Sequence, residues 1–205
     1  MSAVRSHYAA LGDSFSAGLD DGSVPWPELT ARGLEGRGEP VELHNFATVG
    51  ATTADVVDRQ LEPALALEPG LVSLVCGAND VLLTSRPDID GCSANLQTLL
   101  SRIRSELPGA TIVTATYPDP GRFAGLRPRT RKRVIDGMAE VNLAIRSAAE
   151  AHGAVIMEFS QHPGVADRAN VGSDGFHPSA LGHRRAAAAV LEALAQDRAD
   201  RKACA

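Results

Sequence analysis

The sequence predicts an α/β fold: a five-stranded parallel sheet of flavodoxin-like order 2-1-3-4-5, covered by helices on both faces. Three observations predict it. Strand-like and helix-like stretches alternate along the whole chain. The strand-like stretches are apolar throughout, as strands buried on both faces are. The longest helix-like stretch carries a single apolar stripe, the pattern of a helix lying on such a sheet. Right-handed crossovers between parallel strands then favour the order 2-1-3-4-5.

The first strand is Tyr8-Ala9-Ala10-Leu11, a short apolar run broken by Gly12. Asp13 and Ser14 favour turns and helix starts, and a polar loop at Asp20-Asp21-Gly22-Ser23 follows. Pro25 to Leu34 reads as a helix opened by proline. Val41 to Ala47 is the second strand, and a helix runs from Thr53 to about Leu65. Leu71 to Cys76 is the third strand, ending at Gly77-Ala78-Asn79-Asp80, with a helix from about Ser93 to Leu107 beyond it. Ala110 to Thr116, rich in Thr, Val and Ile, is the fourth strand. The loop Tyr117 to Pro128 leads to the longest helix, Arg129 to His152, whose Val134, Met138, Val141, Ile145 and Ala148 form one stripe. Ala154 to Phe159 is the fifth strand, and an Ala-rich helix from Ser179 to about Ala195 closes the fold.

With 205 residues, the chain is expected to form one domain over residues 1–197, with 198–205 a frayed tail. A formal charge of -5 argues against a nucleic-acid partner, which calls for a basic face. No apolar run reaches transmembrane length, so no stable membrane insertion is expected. Cys76, Cys92 and Cys204 follow no disulfide framework, and no apolar signal region precedes the first strand; both point to the cytoplasm.

Under this topology Ser14, Gly50, Asn79 and the loop after strand five all fall at the carboxyl edge of the sheet, where open α/β sheets bind ligands. Ser14 alone reads equally well as a helix N-cap. As a nucleophile it needs a base, and Asp174-Gly175-Phe176-His177-Pro178 offers one. Asp174 and His177 are one helical turn apart, so the carboxylate can orient the imidazole. By themselves they read as a helix cap and a surface histidine. Negative charge on a tetrahedral intermediate needs donors: the Ser14 N–H, the Gly50 N–H and the Asn79 amide are candidates, although Gly50 and Asn79 are also ordinary turn residues.

Taken together, Gly12-Asp13-Ser14-Phe15-Ser16-Ala17-Gly18, the lone Gly50, Gly77-Ala78-Asn79-Asp80 and Asp174-Gly175-Phe176-His177-Pro178 resemble the four sequence blocks of the SGNH (GDSL) hydrolases, in the family's order. The resemblance implies a three-layer αβα sandwich and metal-free, cofactor-free hydrolysis of a small-molecule ester or thioester. It implies Ser14 as nucleophile, His177 as base, Asp174 as its partner, and an oxyanion hole from Ser14, Gly50 and Asn79. Acyl transfer or thioester release in a biosynthetic pathway is the alternative, and a binding module without catalysis a more distant one. Trp26-Pro27-Glu28-Leu29 and Gly182-His183-Arg184-Arg185 are similar to intracellular actinobacterial members of the family, in agreement with only two lysines among 20 basic residues.

Trp26 and Phe176 are candidates for a substrate pocket, although Trp26 also reads as packing between helix and sheet. Phe15 is expected to anchor the nucleophile's turn, and His183 to be a surface or supporting residue of the final helix. Arg127 belongs to a basic cluster from Arg122 to Arg133 that either binds substrate or an acidic acyl carrier, or is a solvated face paired with acids. His162, Asp167, Asp174 and His177 share one loop region but match no common zinc spacing.

Overall fold

In the computed structural model, which describes residues 6–19, 22–119 and 125–203, five strands form one parallel sheet. They are β1 (Ser6–Gly12), β2 (Val41–Asn45), β3 (Leu71–Val75), β4 (Thr111–Ala115) and β5 (Val155–Met157), in the expected order β2-β1-β3-β4-β5. Every residue of β3 is buried, as is β1 from Tyr8 onward, which is why these strands read as unbroken apolar runs. β2 is an edge strand whose Val-Glu-Leu-His-Asn sequence carries polar side chains. It stops at Asn45, short of the expected Ala47; beyond it Phe46 and Thr48 still donate to the β1 carbonyls of Ala10 and Gly12, and the Asn45 side chain makes a turn of the residues after it. Its amide donates to the Ser16 carbonyl at 2.9 Å and its Oδ1 accepts the Ala47 N–H at 3.1 Å.

The helices are α1 (Ser14–Ala17), α2 (Trp26–Gly36), α3 (Thr53–Asp55), α4 (Leu61–Leu65), α5 (Ala78–Leu82), α6 (Ile89–Glu106), α7 (Pro128–Ala151) and α8 (Ala180–Ala203). A π-helical turn, Val56–Gln60, joins α3 to α4. α2 and α8 pack on each other over one face of the sheet, while α6 and α7 pack together with α3 to α5 over the other. All five stripe residues of α7 are buried, each Val, Ile or Met contributing roughly 1.5–3 kcal/mol. α6 begins at Ile89 rather than Ser93 because Asp88 caps it, accepting the Gly91 N–H at 3.0 Å.

Where a tail was expected from residue 198, α8 continues through the described residues to Ala203. Pairs four residues apart support its last turns, Gln196 with Asp200 and Asp197 with Arg201, and Arg198 forms an ion pair with Glu39 beyond α2. Cys204 and Arg122 lie outside the described residues. Among the described residues, no helix is long and apolar enough to cross a membrane.

Candidate active site

β1 ends at Gly12, whose φ of +139° and surroundings exclude any other residue: a Cβ there would lie 2.0 Å from the Val75 carbonyl oxygen. The chain then turns into α1. The Asp13 N–H still donates to the Val75 carbonyl at 3.1 Å, and the Asp13 carboxylate caps the new helix by accepting the Phe15 N–H at 2.9 Å. This sets Ser14 just past the carboxyl end of a buried strand. Gln60, on the π-helical turn, clamps the strand end: its Oε1 accepts the Gly12 N–H at 2.7 Å, and its Nε2 donates to the Gly12 carbonyl at 2.9 Å and to Thr48 Oγ1 at 3.1 Å.

The loop after β5 brings His177 to this serine. Asp174 Oδ1 accepts the backbone N–H groups of Phe176 and His177 at 2.9 and 3.1 Å, and its Oδ2 accepts from His177 Nδ1 at 2.5 Å. An antiparallel bridge between Val171 and Pro178 closes the loop at its base. His177 Nε2 thereby lies 2.8 Å from Ser14 Oγ, across 163 positions of sequence. Burial raises the Asp174 carboxyl, but the His177 ring and the two backbone donors outweigh it and hold the group below its ordinary value. A proton shared between Nδ1 and this carboxylate leaves Nε2 with a lone pair facing the serine hydroxyl.

β1 lies between β2 and β3, so Ser14 stands between the loops that carry Gly50 and Asn79. Gly50 sits in a turn at φ +82° with open space where a side chain would be. The backbone N–H groups of Ser14 and Gly50 have no hydrogen-bond partner among the described residues. Asn79 is largely buried and spends one amide hydrogen on the Ala51 carbonyl at 3.0 Å, leaving the other for a ligand. Asp80 ties the two loops together, accepting from Thr53 N–H at 2.9 Å and Thr53 Oγ1 at 2.6 Å.

Residues 10–185 match the model of the GDSL-like lipase/acylhydrolase family. The chain belongs to that family. A search of curated protein sequences finds no match. Solved structures similar to this hydrolase include a lipase/acylhydrolase from Enterococcus faecalis, with 27% identity and a TM-score of 0.72, covering 91% of this chain and 94% of the other. A GDSL-like protein from Parabacteroides merdae is 21% identical at a TM-score of 0.78, covering 92% and 94%. Axe2, an acetylxylan esterase from Geobacillus stearothermophilus, is 19% identical at a TM-score of 0.72, covering 92% and 93%.

Beside Ser14 the hydrolase holds a buried pair that sequence reasoning did not single out. Tyr117, the second residue past β4, donates its hydroxyl to Asp13 Oδ2 at 2.8 Å. Asn142 on α7 fixes the Tyr117 backbone through two 2.8 Å bonds. Burial lifts the Asp13 carboxyl to about 6, the Phe15 N–H and the tyrosine offsetting part of the rise. Burial and the adjacent Asp13 charge push the Tyr117 hydroxyl well above its usual range. The only signal available from sequence was position: Tyr117, like Ser14, falls just beyond the carboxyl end of a strand. Phe15 links this pair to the base, its ring centroid 5.0 Å from that of Tyr117 and 5.8 Å from that of His177.

An apolar cavity of about 150 Å³ adjoins this site. Phe15 and Phe176, the immediate neighbours of Ser14 and His177, form part of its wall, with Trp26, Tyr117 and Phe159. Trp26 thus both packs in the core and lines the cavity, and Phe176 lines it as expected. Arg127 does not: it precedes α7, exposed, and is absent from the cavity wall. His183 is buried rather than at the surface, its Nδ1 accepting the Trp26 N–H at 3.3 Å. The basic cluster is largely paired. Arg131 meets Asp119, Lys132 meets Asp136, and Arg133 donates to the carbonyls of Val81 and Thr84 at the end of α5. The loop residues His162 and Asp167 stay apart from the Asp174–His177 pair: His162 accepts the Gly164 N–H, and Asp167 pairs with Arg185. Among the described residues, one trio of potential metal ligands converges, and it lies elsewhere: His7, Glu42 and His44.

Proposed function

We propose that this enzyme hydrolyses carboxylic esters of short acyl or aryl acids through an acyl-enzyme on Ser14. The observation that carries the reading is the unbroken line from Ser14 Oγ to His177 Nε2 at 2.8 Å and from His177 Nδ1 to Asp174 at 2.5 Å. In the first step Ser14 Oγ attacks the ester carbonyl and its proton passes to His177 Nε2. The imidazolium is steadied by Asp174, and the carbonyl oxygen, now negative, accepts from the Ser14 and Gly50 N–H groups and the Asn79 amide. Collapse of the intermediate expels the alcohol, which takes the proton from His177. Water then attacks the acyl-enzyme by the same path in reverse and releases the acid.

The adjoining cavity supports the substrate size. Its volume of about 150 Å³ matches that of an apolar cavity known to hold benzene, which suits a short chain or a single ring. An acyl carrier as donor finds less support, since three of the basic residues near α7 are engaged within the molecule and Arg127 stands away from the cavity. The buried free thiols of Cys76 and Cys92 suit a reducing cytoplasm.

Ser14→Ala is expected to lower kcat on a short-chain aryl ester by at least about 10³-fold, with an unchanged far-ultraviolet circular dichroism spectrum. Retention of more than a tenth of the wild-type rate in that variant would remove Ser14 from the mechanism. Added alcohols competing with water for the acyl-enzyme report on transfer: product ester rising in proportion to alcohol identifies an acyltransferase.

A further inference from the structure

Along the strands that lead to Ser14, three side chains on the β1–β2 pair bring donor atoms close to one another. His7 and Glu42 are register partners, and His44 lies two residues further along β2, so all three project from the same face. His7 Nδ1 is 3.1 Å from His44 Nε2, His44 Nε2 is 3.5 Å from Glu42 Oε1, and His7 Nδ1 is 3.9 Å from Glu42 Oε2. We propose that His7, Glu42 and His44 bind a divalent transition metal of the zinc class, at a site separate from the hydrolytic centre.

The distances carry the argument. Ligand atoms about 2.0–2.1 Å from a tetrahedral zinc ion are separated from one another by roughly 3.3–3.4 Å. The 3.1 Å between the two ring nitrogens and the 3.5 Å from His44 Nε2 to Glu42 Oε1 straddle that value, and rotation of the exposed Glu42 carboxylate, whose other oxygen is 3.9 Å from His7 Nδ1, lets one oxygen serve an ion held by both rings. Two imidazoles and one carboxylate are also a donor set zinc uses when it keeps a fourth position open. A hydrogen bond between two neutral rings explains the 3.1 Å approach but not the trio. In that bond one nitrogen carries the proton and the other nitrogen's lone pair accepts it, so nothing in it accounts for the Glu42 carboxylate beside both rings. A dication between them takes one donor atom from each of the three side chains. The site is partly exposed, with side-chain accessibilities of 38% for His7, 57% for Glu42 and 28% for His44, so an ion and a completing water can enter. His44 also stacks on Phe46, the planes 17° apart, which limits the swing of one ligand ring.

Isothermal titration of ZnCl₂ into EDTA-treated, dialysed full-length protein tests the proposal. The expected result is one tight site, weakened at least tenfold in His44→Ala and in Glu42→Gln, together with a zinc-dependent rise of several degrees in Tm that both variants lose. Ester hydrolysis in EDTA is expected to match that of the untreated enzyme. Glu42→Gln, an exposed and nearly isosteric change, keeps the test open if His44→Ala does not fold. Absence of binding, or binding that survives both substitutions, overturns the site.

Discussion

Asp13 shows how a single side chain can serve a site at a cost to the fold. It caps α1, receives the Tyr117 hydroxyl and is completely buried, so its carboxyl titrates at about 6 instead of near 3.8. Below pH 3.8 both folded and unfolded chains hold the proton. As pH rises towards 6 the unfolded chain releases it first, so Asp13 makes the folded state progressively less stable, by a total on the order of 3 kcal/mol, with no further change above. Asp13→Asn is neutral throughout; its amide oxygen can still accept the Phe15 N–H while its NH₂ faces the tyrosine oxygen. The stability of this variant relative to wild type is therefore expected to improve from about pH 4 to pH 6 and to level off above, as read by urea unfolding at several pH values. A difference that stays constant over that interval would mean that Asp13 is not held protonated by burial. The carboxylate is worth this penalty because it sets the turn that presents Ser14.

At the level of elements, the π-helical turn Val56–Gln60 matters more than its length suggests. It breaks the regular helix between Thr53 and Leu65, and Gln60 at its end reaches inward to both backbone groups of Gly12. Gln60→Leu leaves that N–H and carbonyl buried without partners and is expected to cost about 2–4 kcal/mol in denaturant unfolding, with a fall in esterase activity as the nucleophile's strand end loosens. A loss below about 0.5 kcal/mol would show that water or Thr48 takes over the clamp. No periodicity announces such a turn: the stretch from Thr53 to Leu65 reads as plain helix, and so it was expected. By contrast β3 and β4 were legible because burial on both faces leaves no charged position to confuse the pattern, and their small polar residues Ser73 and Thr114 are buried with the rest. The meeting of Ser14 with His177 was legible only through four short blocks in a fixed order. The Asp13–Tyr117 pair was not, since each residue is ordinary in its own segment and 104 positions separate them. For His183 the two readings, surface or supporting, stayed open for the same reason, its partner Trp26 being far away in sequence.

For the whole molecule, the sheet sets the relation between the two proposed sites: hydrolysis past the carboxyl end of β1, metal on one face of the β1–β2 pair between His7 and His44. The last turns of α8 contribute little to either. Removing residues 198–205 deletes Arg198 and Arg201, both partly exposed ion-pair partners, and is expected to lower Tm by no more than about 2–4 °C with kcat unchanged. Loss of folding on that truncation would make the end of α8 an integral part of the domain. The distance between Ser14 and His177 along the chain has a different consequence. During synthesis Ser14 leaves the ribosome 163 positions before His177, so a nascent chain stopped between them carries the hydroxyl without the base proposed for it. On the proposed mechanism ester cleavage is thus a report on translation and folding together: only a molecule made through His177, with its loop folded back onto Ser14, can carry it out.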